Sequence, residues 1–263
     1  MTAAELEIVI NILSVLLSAF VIIRAVPLLR IPQRQFTAAS FLFAMVSLLL
    51  VYAYWLAYSM IRPDVRMPLA ANMIGECAVF LLLSVMLESV FRGSHIPSWP
   101  HIICTLLFAA ASIALWIAWS GEWIQDILGG IAYGYFLYVC ARTLLRTDAF
   151  SRREWLALGV SCAVIVTAYV VWFFVPEHLV WVLNLIGYAA TYTVTLFFLL
   201  KTFRALRRGR NADRQLALAV SAHAWCMGAM YMSSDWFYSA SMLLCLLTLP
   251  MMLLAVRREA ECA

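Results

Sequence analysis

The chain has 263 residues, of which 65% are hydrophobic and 12% charged, with a formal net charge of +4. A soluble globular domain is about half apolar and about a quarter charged, so a soluble packed core does not account for this balance. The basic residues are scattered over several short loops, which argues against the single basic face that binds nucleic acid.

Helical runs of about 20 apolar residues do account for it, because the hydrocarbon core of a bilayer is about 30 Å thick. The pattern predicts an all-α integral membrane protein with about nine transmembrane helices in one polytopic domain. The spans are 6–30, 37–61, 70–91, 101–120, 123–146, 155–175, 178–200, 214–232 and 236–256. Alternating strands are absent from the sequence, so a β-barrel is not expected.

Glu5 and Glu7 precede the first span and no basic residue does. That is not the pattern of a secretory signal peptide, and the span is expected to be retained. Asn11, Ser14 and Ser18 share one of its faces. The second span is greasier, with the aromatics Tyr52, Tyr54 and Trp55. The third places Asn72 and Glu76 one turn apart, followed by apolar Val79 and Leu83. The fourth and sixth are again greasy, with Trp116 and Trp172.

The fifth span carries Asp126, Gly129, Gly130, Tyr133 and Cys140 on one side. Its run Gly130 to Gly134 is a GxxxG pattern, which allows close helix approach. The seventh carries Asn184, Tyr188, Thr191, Tyr192 and Thr195. The eighth is the weakest, diluted by Ser221, His223, Ser233 and Ser234. The ninth carries Ser241, Cys245, Thr248 and Met252. Polar or small stripes therefore mark the odd-numbered spans, at the i, i+3, i+4, i+7 spacing of a single helical face.

Charge orients the chain. The loops after spans 1, 3, 5 and 7 and the C-terminus, together with the helix ends that flank them, hold 16 of the 18 basic residues, and Arg62 and Arg66 fall on the other side. The positive-inside rule makes the basic side cytoplasmic, with the N-terminus outside and the C-terminus inside. Arg207, Arg208 and Arg210 serve as a topological anchor or touch anionic lipid. The basic residues are 17 Arg to one Lys, a compositional hint of a bacterial or phage source. A bacterial inner (cytoplasmic) membrane is the expected location.

A short motif recurs: NILS at Asn11, NMIG at Asn72, DILG at Asp126 and NLIG at Asn184. The separations are 61, 54 and 58 residues, and a further 57 lands on Ser241. Fixed-period similarity points to a repeated unit. Here it is a helical hairpin of about 57 residues, giving a lone first helix plus four hairpins. The Asn or Asp should face the bundle interior, and the small residue three positions on should let another helix approach. The stripes have two readings. They form hydrogen bonds between helices, or they line an outward-facing aqueous cavity.

An intramembrane carboxylate marks a functional site by default, and Glu76 is the one deepest inside a span. Its rival role is a structural carboxylate bonded to Tyr, Asn or Ser. Candidate ligand- or ion-binding residues are Glu76, Asn11, Asn72, Asp126, Asn184, Tyr188, Thr191 and Tyr192. Asp126 also suits a helix cap. Arg24 and Glu88 are a candidate interhelical ion pair, with Arg142 as the alternative partner.

No metal or other cofactor is expected. His223 and Cys226 share a face but supply two ligands, and a structural zinc site needs four. The seven cysteines contain no CxxC and read as packing residues. Lys201 lies at an inner helix end, away from mid-membrane. The sequence contains no GxGxxG, Walker loop, HExxH or GxSxG, so no catalytic residues and no enzyme are expected.

The leading expectation is a transporter or channel-like protein binding a small polar or cationic solute. The alternatives are a membrane sensor that signals to a partner protein, and a self-assembling phage-type permeabilising or scaffold component. The expected partners are the lipid bilayer, such a solute, and a second copy or membrane partner protein.

Overall fold

A computed structural model describes residues 3–61, 69–91, 123–209, 211–233 and 235–262, with isolated positions between 99 and 117. All regular structure among them is helical. The long helices are α1 (Ala3–Ala25), α2 (Gln35–Ile61), α3 (Leu69–Val90), α4 (Trp123–Arg146), α5 (Arg152–Trp172), α6 (Glu177–Arg208), α7 (Ala212–Tyr231) and α8 (Asp235–Glu261). The expected 101–120 span lies outside the described residues apart from isolated positions.

Seven of these eight helices are long and apolar enough to cross a bilayer, so the fold is compatible with a multi-pass membrane protein. The exterior agrees. Leu16 is 62% exposed and Phe174 82%, while Asn11, Ser14, Ser18, Asn72, Glu76 and Thr195 are buried. That inward turn of polar groups is what an apolar surrounding demands, because lipid offers no hydrogen-bond partner.

The exception is α7, the expected eighth span. Its side chains are buried almost without a break from Gln215 to Met230. It packs against α3, α4, α6 and α8. A helix enclosed by protein has no lipid-facing surface to fill with large apolar groups. Its Ala, Ser, Gly and Cys residues let the neighbours approach closely instead. The weak hydropathy of this span thus reports its central position.

Around α7 the packing follows the chain. α1 lies on α2 and α8, α2 on α3, and α3 on α4. α6 packs against α5, α7 and α8. The core between them is filled by Phe41, Phe80, Leu83, Phe136, Phe198 and Leu216.

Local chemistry sets the helix ends. Pro27 falls where the first span changes from α-helix to a 3-10 turn, Val26–Arg30, as a residue lacking a backbone donor should. α5 starts on a capping box. The Ser151 amide donates to Glu154 Oε2 at 2.7 Å, and the Glu154 amide donates to Ser151 Oγ at 3.4 Å. α6 runs two turns past its expected end and stops at Gly209 with φ +67°, a left-handed conformation that glycine adopts without steric cost. Asn211 then caps α7 by accepting the Arg214 amide at 3.1 Å.

The helix ends that carry the basic loops are tied together. Arg34 faces Glu259 at 2.9 Å. Arg258 donates to the Leu206 carbonyl and, at 2.8 Å, to Gln215.

Two glycines of the recurring motif act as expected. A Cβ at Gly75 would lie 2.5 Å from Val51 of α2, and one at Gly129 would lie 3.1 Å from the Met73 methyl. Gly187 has only ordinary contact with Tyr169. The tightest need for glycine on α7 is elsewhere, at Gly228, where a Cβ would overlap the Tyr133 hydroxyl. That hydroxyl donates to the Ala224 carbonyl at 2.9 Å.

Gly228→Ala should therefore destabilise the protein by about 1–3 kcal/mol through overpacking. Gly159→Ala, with nothing within 4 Å of the new Cβ, should stabilise its helix by roughly 0.5–1 kcal/mol. Thermal unfolding of the two variants in detergent checks the contrast, and equal effects would remove Gly228 as a packing constraint.

Candidate functional site

Glu76 and Asn72 stand one turn apart on α3. The Asn72 amide donates to Glu76 Oε1 at 2.5 Å, and the Tyr231 hydroxyl at the end of α7 donates to Oε2 at 2.5 Å. The carboxylate is only 6% exposed. Both of these partners are neutral, and among the described residues no salt bridge reaches it. Removing an ionised carboxylate from water costs several kcal/mol, which neutral hydrogen bonds offset in part.

Aromatic rings surround this pair. Phe80, one turn beyond Glu76, lies 5.2 Å from the Tyr133 ring and 6.4 Å edge-on from Tyr231. Tyr133 and Tyr231 meet edge-on at 6.1 Å. Trp55 of α2 stacks on Tyr238 of α8 at 5.8 Å. The Tyr52 and Tyr238 hydroxyls lie within electrostatic range of Glu76, and Tyr238 also within range of Glu7. Trp55 Nε1, the Tyr238 hydroxyl, Asn72 Oδ1 and both polar atoms of Asn11 are buried without a hydrogen-bond partner among the described residues.

The remaining expected residues are distributed as follows. Asp126 is buried near the start of α4, on the helix whose Gly129 abuts Met73 of α3. Tyr188 and Tyr192 of α6 face α8. The Tyr188 ring lies tilted against Phe237 at 4.5 Å, and the Tyr192 hydroxyl bonds Ser241 at 2.8 Å and the Phe237 carbonyl. Thr191 is buried, and Asn184 sits half-buried nearer the helix start. Tyr169 of α5 donates to the Met232 carbonyl at 2.8 Å.

Glu76 with Asn72 thus lies on one side of the α7–α8 corner, and Tyr188 with Tyr192 on the other. Tyr231 ties the corner to Glu76, while Tyr169 and Tyr192 tie it to α5 and α6. Spans 3, 5, 7 and 9, the helices α3, α4, α6 and α8, all pack against α7. α7, an even span, stands among them because its small side chains give it the interior position.

The expected Arg24–Glu88 pair does not form. Glu88 pairs with Arg142 of α4, because α4 lies along α3 whereas α1 lies on α2 and α8. Arg24 is exposed. His223 is fully buried, with Nδ1 2.8 Å from Thr248 Oγ1. Among the described residues no three His, Cys, Asp or Glu side chains gather as a metal site.

Tyr231, Tyr52, Trp55 and Tyr238 belong to the centre but were not among the expected residues. Tyr52 and Trp55 lie on a span that reads as greasy, yet they are spaced i, i+3 and so share a face. Tyr231 is the last residue of α7, and only the helix packing brings it to Glu76.

The fold and this centre define a class: an all-helical bundle compatible with a multi-pass membrane protein, with a carboxylate enclosed by hydroxyl, amide and aromatic groups. Compared with known proteins, the chain matches no family model, no curated protein and no solved structure.

Tyr231→Phe and Asn72→Ala should each destabilise the protein by about 1–3 kcal/mol, because each leaves a buried Glu76 oxygen unsatisfied. Combined with Glu76→Gln, each should show a coupling of about 0.5–3 kcal/mol in a double-mutant cycle. Additive losses would mean that the three groups do not act as a unit. Glu88 and Arg142, partly exposed, should couple by less than about 1 kcal/mol, and Arg24→Gln should be neutral in the same unfolding assay.

Proposed function

We propose that this protein is a multi-pass membrane carrier whose functional centre is Glu76, and that it binds a small cation, of ammonium type or a proton, from the outer side. One observation carries the reading: a carboxylate buried in an apolar bundle with a tyrosine and an asparagine as its partners, and no basic partner among the described residues. A cation or proton supplies the charge that these neutral groups lack. The rings of Phe80, Tyr133 and Tyr231 beside it, and the Trp55–Tyr238 stack, favour an organic cation. Cation–π attraction in a desolvated site is worth about 2 kcal/mol.

The topology rests on charge. With the basic helix ends cytoplasmic, Glu76 lies in the outer half of α3, in a bacterial inner membrane. The hairpin repeat is part of the same reading. α2 packs along α3, α5 along α6 and α7 along α8, each an entry helix followed by a return helix. Entry of the cation displaces Tyr231 and with it the α7–α8 corner. Tyr169 and Tyr192 hold the other side of that corner, and this supports a second reading, in which the corner relays occupancy of Glu76 to α5 and α6 as a sensor would.

The test is the thermal stability of the purified chain with sodium, potassium or tetramethylammonium chloride, followed by flux of the effective ion into proteoliposomes. A cation that raises the Tm of the wild type by several degrees and leaves Glu76→Gln unmoved supports the site. If no cation and no change of pH shifts the wild type, and Glu76→Gln is at least as stable, Glu76 is a helix-packing group and the proposal fails. Binding with flux supports the carrier, and binding without flux supports the sensor.

A further inference from the structure

We propose that the α6–α7 corner, at the opposite end of the bundle from Glu76, holds a specific site for the phosphate of an anionic lipid headgroup. A cavity of about 830 Å³ opens there. Its polar wall is built from Lys201, Arg204 and Arg208 of α6 and Arg214 of α7. Positions 201, 204 and 208 follow the i, i+3, i+7 spacing of one helical face, so α6 turns three cations to the same side. They do so because α6 continues two turns beyond its apolar run before Gly209 ends it.

The charges in this wall are not balanced within the described chain. Glu154 is the one carboxylate lining it, and it is held by Lys201 at 2.5 Å and by the Ser151 cap. Lys201 is further fixed over the Phe150 ring, 4.5 Å from its centroid. Arg214 spends one nitrogen on the Ala149 carbonyl at 2.9 Å. Arg204 and Arg208 have no hydrogen-bond or ion-pair partner among the described residues. Like charges one turn apart repel, and an anion between them removes the repulsion.

Three features select a phosphate on a lipid. Guanidinium forks match phosphate oxygens two at a time. The cavity also reaches Asn211, the cap of the 20-residue helix α7, whose positive dipole end adds to the attraction. The rest of the wall is apolar, with Phe197, Leu200 and Leu218. Leu200 is exposed beside exposed Phe203, a surface continuous with the apolar exterior where an acyl chain lies. A basic pocket between helices at the membrane surface is the kind of site that binds such headgroups.

The experiment uses the full chain in detergent. Phosphatidylglycerol, phosphatidylcholine and inorganic phosphate are titrated separately against thermal unfolding and native mass spectrometry. Phosphatidylglycerol should raise the Tm by several degrees and remain bound in the spectrum, and phosphatidylcholine should do neither. Arg204→Gln and Arg208→Gln, at exposed positions, should each weaken the lipid effect about tenfold, the scale of one charged hydrogen bond. Arg207→Gln, one residue away and outside the cavity, should leave it intact. Arg204→Lys, which keeps the charge but not the fork, should lose part of it and stands in if a Gln variant fails to fold.

Equal weakening by Arg207→Gln would show diffuse surface charge and overturn the site. No effect of phosphatidylglycerol on the wild type would overturn it as well. An equal stabilisation by inorganic phosphate, lost in the same variants, would give the site to the free ion and overturn the lipid.

Discussion

Polar side chains in a bundle with an apolar exterior have only one another and the backbone to bond with. That constraint organises this protein. Asn11, Asn72, Glu76, Thr191, Thr195 and Ser241 are all buried, while apolar residues such as Leu16, Ile23 and Phe174 face outward. Where two such groups meet, helices are held in register: Tyr231 to Glu76, Tyr192 to Ser241, Thr248 to His223. Each of these bonds involves α7, α8 or the corner between them.

The central helix follows from the same logic. A segment that touches protein on every side gains nothing from bulky apolar groups and needs short ones. α7 is rich in alanine and carries Gly228 against Tyr133. Its low hydropathy and its central position are one fact seen at two levels. The consequence for function is direct. The helix that supplies Tyr231 to the carboxylate also begins, at its other end, in the basic corner that carries Asn211 and Arg214. Two candidate sites of opposite charge therefore stand at the two ends of one buried rod.

Those ends differ in how their charges are handled. At Glu76 a lone carboxylate is met by neutral donors, so the missing charge is positive. At the α6–α7 corner the carboxylate Glu154 is already engaged by Lys201, so the missing charge is negative.

The sequence by itself determined the helical class and, to within a few residues, where most of the described helices begin. Apolar runs of that length leave no alternative element, and residues such as Pro27, Ser151 and Gly209 act locally. It also singled out Glu76 with Asn72, because residues four apart on a helix must be neighbours. What required the tertiary structure was every relation between helices. The choice of Arg142 over Arg24 as the partner of Glu88 depends on which helix lies beside α3. The inward facing of Tyr52 and Trp55, the arrival of Tyr231 at Glu76, and the separation of the Tyr188–Tyr192 group from that centre depend on α7 taking the middle of the bundle. Periodicity gives each helix a polar face but does not say which neighbour that face meets. Packing of small side chains around α7 decides it.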